Sequence, residues 1–269
     1  MILLNNQQII TEQFPNNETK IKDFDTIIQQ DNIIQFTYHD DGDLIRLMFV
    51  KQRLDEENVL AVLFINYMPY SRMDRKIEGD LFTLKYVCRF INSLNFEKVF
   101  VLEPHSQNTV EMLNNSIAIY PALEWLPEIM KQLNFTENDR IVFPDKGAAA
   151  RYQDSGFENL CLFEKTRNPQ TGRIENMFLK EGTVPQGAKC VIVDDLCAAG
   201  GTFLWAGSIL KDMGASDITL LVTHCEPTVF KGKLLDEDSS INRMYTTTSM
   251  MNTQNPKINY ITLNIENYA

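Results

Sequence analysis

Apolar residues gather in short continuous runs along this chain, and each run ends in polar or turn-forming residues. Residues 59–65, 98–102, 140–143, 160–163, 190–193 and 218–222 have this form, which fits strands buried on both faces. Helical periodicity lies between several of them. Leu81, Leu84, Val87, Ile91 and Leu94 share one helical face. Residues 203–213 read as a second helix, stopped by Gly214 in a C-cap position. Residues 123–133 read as a third. Strands alternating with helices predict an α/β fold, with a mainly parallel sheet flanked by helices.

Each half of the chain carries one such strand–helix set. Two similar domains are therefore expected, at residues 1–118 and 119–269. Parallel sheets bind ligands at the carboxyl ends of their strands. That directs attention to residues 70–75, 103–106, 144–147, 164–173, 194–202 and 223–226. Residues 166–172, rich in polar groups with one Pro and one Gly, are expected to form a mobile loop.

Charge narrows the partners. The 269 residues carry a formal net charge of −11 with no long basic run, which argues against nucleic acid. No window of about 18 apolar residues occurs, and the first residues have no basic leader pattern. A cytoplasmic protein without membrane contact is expected. Cys88, Cys161, Cys190, Cys197 and Cys225 show no metal-binding spacing and read as reduced packing residues. Cys197 stands apart because it lies inside a candidate site.

The strongest candidate chemistry is Asp194-Asp195 followed by Ala198-Ala199-Gly200-Gly201-Thr202. Carboxylates accept hydrogen bonds from vicinal ribose hydroxyls. Glycines let the backbone approach a ligand, and a helix start offers N–H groups to an anion. A sugar-phosphate site follows. Tyr70-Ser71-Arg72-Met73-Asp74-Arg75-Lys76 suits a triphosphate clamp, although alone it reads as a solvated loop with an Asp–Arg ion pair. His105 and Asp145 stand at two strand mouths, where they could hold Mg²⁺ or serve the fold. His is an unusual ligand for that ion. Lys165 and Arg167 begin a polar segment, where two cations could neutralise transferring phosphates. Two exposed loop cations are the plainer reading.

Taken together these segments resemble the ribose-phosphate diphosphokinase family. The 191–202 segment resembles the phosphoribosyl-diphosphate fingerprint that this family shares with type I phosphoribosyltransferases. Tyr70-Ser71-Arg72-Met73-Asp74-Arg75 resembles the family's Tyr-Ala-Arg-Gln-Asp-Arg ATP motif. Leu102-Glu103-Pro104-His105-Ser106 is similar to its Asp-Leu-His-Ala metal segment, Phe143-Pro144-Asp145-Lys146-Gly147 to Ser-Pro-Asp-x-Gly, and Glu164-Lys165-Thr166-Arg167 to its catalytic Lys-Arg-Arg loop. Phe14-Pro15-Asn16-Asn17-Glu18 is similar to a segment that reaches adenine in a neighbouring subunit.

The resemblance implies two phosphoribosyltransferase-like domains, an ATP side and an acceptor side, in a homo-oligomer. It implies a Mg²⁺-dependent transfer of the β,γ-diphosphate of ATP to the 1-hydroxyl of a ribose 5-phosphate-type acceptor, releasing AMP. Phe14, Asn16, Glu18, Arg72, Asp74 and Arg75 would bind ATP, and His105 and Asp145 the metal. Lys165 and Arg167 would stabilise the transferring group. Asp194, Asp195 and residues 198–202 would hold the acceptor. The family loop reads Asp-Asp-x-x-Asp-Thr-Gly/Ala-Gly-Thr, and here Ala198 and Ala199 replace its third Asp and its Thr. Less phosphate grip and more space suit a bulkier acceptor such as ADP-ribose, whose diphosphate serves NAD synthesis in branches resembling this family. A base-joining phosphoribosyltransferase would explain the Asp-Asp loop but not Arg72–Arg75, His105 or Lys165–Arg167. A silent regulatory partner would explain the altered loop.

Overall fold

The structure, a computed structural model, describes residues 1–77, 79–152, 156–168, 174–265 and 268, without the side chain of Arg167. The chain forms two compact units. One spans residues 1–119 with the described residues from Asn264 onward, and the other spans 120–263. The terminal residues thus group with the first unit, where the sequence reading gave them to the second.

The first unit contains β1 (Ile2–Leu4), β2 (Gln7–Gln8), β3 (Ile10–Gln13), β4 (Thr19–Lys22), β5 (Asp31–Phe36), α1 (Gly42–Glu56), β6 (Leu60–Ile65), α2 (Thr83–Ser93), β7 (Val99–Leu102), α3 (Gln107–Met112) and β8 (Ser116–Ile119). Its sheet runs β2-β1-β5-β6-β7-β8. The neighbours from β5 to β8 are parallel, and β1 is antiparallel to both of its partners. β3 and β4 form a separate antiparallel hairpin. The buried face of α2 carries Leu84, Val87, Cys88 and Ile91. Leu81 departs from the expected stripe: it precedes the helix and is 72% exposed.

The second unit contains α4 (Pro121–Gln132), β9 (Arg140–Phe143), α5 (Lys146–Arg151), β10 (Leu160–Arg167), β11 (Ile174–Glu181), β12 (Lys189–Cys197), α6 (Gly201–Asp212), β13 (Asp217–Cys225), β14 (Arg243–Thr246) and β15 (Ile258–Tyr260). Its sheet order is β11-β10-β9-β12-β13-β14-β15, parallel except for the edge strand β11. Strand side chains alternate between faces. On β12, Cys190 and Ile192 pack with Phe203, Ala206 and Leu210 of α6. Val191 and Val193 pack with Ala122, Leu126 and Ile129 of α4. Burial on both faces explains why this strand reads as a continuous apolar run.

Three strands run further than their apolar residues. Backbone pairing carries β12 and β13 to Cys197 and Cys225, so Asp194 and Asp195 sit on a strand and not in a loop. Pairing with β11 carries β10 through Lys165 and Thr166 to Arg167, where a mobile loop was expected. Residues 169–172 of that expected loop lie outside the described residues. Among the described residues, no helix is long and apolar enough to cross a membrane.

Candidate functional site

In the second unit, chemistry collects at the carboxyl ends of β9, β10 and β12. Asp145 follows β9 and caps α5, its Oδ1 accepting from the Ala148 N–H at 3.0 Å. Lys165 of β10 places its Nζ 2.5 Å from the Asp145 carboxylate. Burial works to raise the Asp145 pKa, but Lys165 and the N–H groups of Ala148 and Gly147 hold it below the ordinary carboxylate value. Arg167 pairs through its backbone with Ile174, and its side chain lies outside the described residues.

Asp194 and Asp195 are clasped by one guanidinium. Arg151, at the end of α5, sets Nη1 3.2 Å from Asp194 and Nη2 3.3 Å from Asp195. All three side chains are largely shielded, at 6% exposure for Arg151, 13% for Asp194 and 4% for Asp195. Asp194 also accepts from the Asp195 N–H at 2.9 Å. Burial and the adjacent Asp195 charge push the Asp194 pKa well above the ordinary value, against the pull of Arg151. The sequence reading passed over Arg151. Its signal was faint: a cation one helical stretch beyond Asp145, in Lys-Gly-Ala-Ala-Ala-Arg.

The turn that follows β12 is shaped by glycine. Gly200 is the N-cap of α6 with φ of 83°, a left-handed conformation that favours glycine. A Cβ there would sit 2.6 Å from Leu234 Cδ1. Gly232 presses its backbone on the Ala199 carbonyl so closely that a Cβ would lie 2.0 Å from that oxygen. Gly201 faces the opposite situation, with nothing within 4 Å of a Cβ position. Ala199 and Gly201 are exposed, while Ala198 and Thr202 are half-buried. The start of α6 therefore has open space on the Cβ side of Gly201. Cys197 is fully buried, and its thiol is raised by a hydrogen bond with Cys225 and by burial, which suits packing over reactivity.

In the first unit, residues 70–76 form a turn after β6. Tyr70 has φ of 63°. Its hydroxyl and that of Tyr38 both donate to Asp41, the latter at 2.7 Å. Arg72 and Arg75 are exposed and Asp74 is half-buried. Asn108 Nδ2 donates to the Asp74 carbonyl at 2.9 Å, which fastens the start of α3 to this turn. His105, just before α3, is half-buried. Glu103, directly after β7, has φ of 41° and is 1% exposed. Two non-glycine residues in the left-handed region, at the carboxyl ends of neighbouring strands β6 and β7, mark stored backbone strain at a candidate site. Phe14, Asn16 and Glu18 lie at the exposed tip of the β3–β4 hairpin, closed by a Phe14 N–H to Glu18 carbonyl bond of 2.9 Å.

Among the described residues, no group of three or more His, Cys, Asp or Glu forms a metal cage. Mg²⁺ needs none, because it keeps waters and substrate phosphates in its shell and takes one or two carboxylates from protein. Asp145, at the carboxyl end of β9, is a carboxylate of the type such a shell uses.

No family model matches the chain. Named relatives do. A ribose-phosphate pyrophosphokinase of Sulfolobus acidocaldarius is 27% identical over 220 residues, covering 78% of this chain and 74% of the relative. One from Pyrococcus abyssi is 30% identical over 201 residues, covering 71% and 67%. The crystal structure of phosphoribosylpyrophosphate synthetase from Mycobacterium smegmatis shares the fold, with a TM-score of 0.75 at 16% identity over 94% of this chain and 85% of that one. This chain belongs to the ribose-phosphate pyrophosphokinase family and is a diphosphotransferase.

Proposed function

We propose that the enzyme transfers the β,γ-diphosphate of ATP to the 1-hydroxyl of an acceptor built on ribose 5-phosphate. The acceptor's anomeric oxygen bonds to the β-phosphorus, the bridge to the α-phosphate breaks, AMP leaves with the bridging oxygen, and the hydroxyl proton passes to solvent. The observation that carries this reading is the carboxylate pair Asp194–Asp195, held by Arg151 beside the glycine-led start of α6. Vicinal hydroxyls suit the pair, and a phosphate ester suits the helix start. Arg72, Asp74 and Arg75 are the ATP-binding residues of the first unit, with His105 as its metal candidate. Asp145 is the metal candidate of the second unit, and bound Mg²⁺ would neutralise phosphate oxygens. Lys165 and Arg167 would offset charge on the transferring group. The exposed hairpin tip of Phe14, Asn16 and Glu18 suits adenine contact from a second copy of the chain.

The relatives' names point to a ribose phosphate, of which ribose 5-phosphate is the acceptor that the family resemblance implies. The loop points to a capped phosphate. Ala198 and Ala199 offer no side-chain donor, and the space around Gly201 is open. ADP-ribose combines the same ribose with a diphosphate-linked adenosine, which needs less grip and more room. Incubation with ATP, Mg²⁺ and each acceptor, read by mass spectrometry, tests both levels. AMP with an acceptor enlarged by one diphosphate is expected, with ADP-ribose the better substrate. Efficient turnover of ribose 5-phosphate with none of ADP-ribose overturns the capped-acceptor reading. Consumption of phosphoribosyl diphosphate with a free base and no ATP overturns both.

A further inference from the structure

Three buried side-chain polar atoms among the described residues have no hydrogen-bond partner: Arg46 Nε, Ser106 Oγ and Thr109 Oγ1. Two of the three occupy one turn, directly after His105. A buried hydroxyl without a partner is costly, and native proteins tolerate few of them. Their coincidence beside a candidate nucleotide site calls for a reason.

The local geometry leaves the Ser106 hydroxyl uncommitted. Ser106 is the N-cap of α3 in extended conformation, with φ −148° and ψ 161°, and its side chain makes no capping bond. A serine there ordinarily accepts from a backbone N–H of the first turn. Here the Thr109 N–H goes to the Ser106 backbone carbonyl at 3.2 Å instead. Ser106 follows the carboxyl end of β7, the edge at which parallel sheets take ligands. The Asn108–Asp74 bond of 2.9 Å ties this same turn to the Arg72–Arg75 segment. The resembled metal segment has alanine at the position of Ser106, so that motif does not account for the hydroxyl.

We propose that Ser106 is a further nucleotide-binding residue, whose hydroxyl donates to a phosphate oxygen of the bound nucleoside triphosphate next to His105. The inference rests on the ATP-dependent reading above. A hydrogen bond to a charged oxygen is stronger than one between neutral groups, and it would give the orphaned hydroxyl its partner only when the substrate is present. Thr109, fully buried one turn on, shares the environment without standing at the strand end. It serves as the control.

The test compares wild type with Ser106→Ala, Ser106→Thr and Thr109→Val. ATP binding is measured by calorimetry, Michaelis constants for ATP and acceptor by AMP release, and Tm with and without ATP. Ser106→Ala is expected to weaken ATP binding about tenfold or more. It should leave the acceptor KM unchanged and the Tm without ATP no lower than wild type. Ser106→Thr should retain most of the affinity, and Thr109→Val should bind ATP as wild type does. Wild-type ATP affinity in Ser106→Ala overturns the inference alone. So does a lower Tm without ATP in that variant, which would mean that the hydroxyl serves the fold through water or protein. A wild-type enzyme that binds no ATP overturns the functional reading, and this inference with it.

Discussion

Lys165 Nζ lies 2.5 Å from the Asp145 carboxylate, so the cation proposed to steady the transferred group and the acid proposed to hold Mg²⁺ are bound to each other. Phosphate and metal must exchange this contact for their own. Lys165→Ala is expected to lower turnover by about 10²-fold or more while sparing ATP binding, and to raise affinity for Mg²⁺ by freeing Asp145. Unchanged turnover would remove Lys165 from the mechanism. The pH dependence has a definite sign. Asp145 is held below its ordinary value of 3.8, so its contribution to stability is full above that pH and fades as acid protonates it. The Tm difference between wild type and Lys165→Ala should therefore narrow below about pH 4.

Arg151 stands between two carboxylates that would otherwise face each other in a shielded site. Arg151→Met leaves them unpaired, and removing one partner of a buried charge set costs about 3–5 kcal/mol. The cost should depend on pH. Asp194 is raised above 3.8 in the folded protein by burial and by Asp195, so the native state keeps a proton that the unfolded chain releases. Stability then falls as pH climbs from that value toward the folded pKa. Without Arg151 the rise is larger and the fall extends to higher pH. Scanning calorimetry should show a smaller penalty near pH 4.5, just above ordinary carboxylate titration (about pH 4), than near pH 7.5. A penalty equal at both pH values would mean that Arg151 acts by packing, for instance over Tyr152, whose ring centroid lies 5.7 Å from its guanidinium carbon.

What the sequence made legible follows from burial. Val191, Ile192 and Val193 are buried on both faces, so β12 announced itself, as did β6, β7, β9 and β13. The buried side of α2 did so through Leu84, Val87 and Ile91. Strand ends were misjudged, because backbone pairing continues through polar residues such as Lys165 and Asp195. Edge elements escaped for the same reason: all four residues of β3 are exposed, leaving no apolar pattern to read. Within the site, acids and glycines were visible as types. Their partners were not, because Arg151 and Asp194 lie 43 positions apart, and Tyr70 and Asp41 lie 29 apart.

Asp41 accepts from both Tyr38 and Tyr70, and those two hydrogen bonds hold its pKa below the ordinary value. Tyr70 opens the Arg72–Arg75 turn in a left-handed conformation, so Asp41 fixes where that turn begins. Asp41→Ala should raise the KM for ATP severalfold and leave the acceptor KM alone. The stability cost should stay within about 1 kcal/mol, because the carboxylate is exposed. Equal effects on both Michaelis constants would show that Asp41 serves the whole fold and not the ATP turn.

Acceptor choice can be tested at the loop itself. The Ala199 carbonyl is pinned by Gly232, but its side chain is exposed, so a larger residue fits without moving the backbone. Ala198→Asp with Ala199→Thr restores the family's acid and hydroxyl. A regained hydrogen bond to a phosphate dianion is worth about 1.5–3 kcal/mol, or about tenfold or more in affinity. The same side chains narrow the open space beside Gly201 and bring a carboxylate toward the diphosphate of ADP-ribose. The double variant should therefore raise kcat/KM for ribose 5-phosphate and lower it for ADP-ribose, so that their ratio shifts toward ribose 5-phosphate. Circular dichroism and Tm verify that the loop variant is folded. A folded variant with an unaltered ratio would mean that Ala198 and Ala199 do not set the acceptor, and that selection resides elsewhere on the acceptor unit.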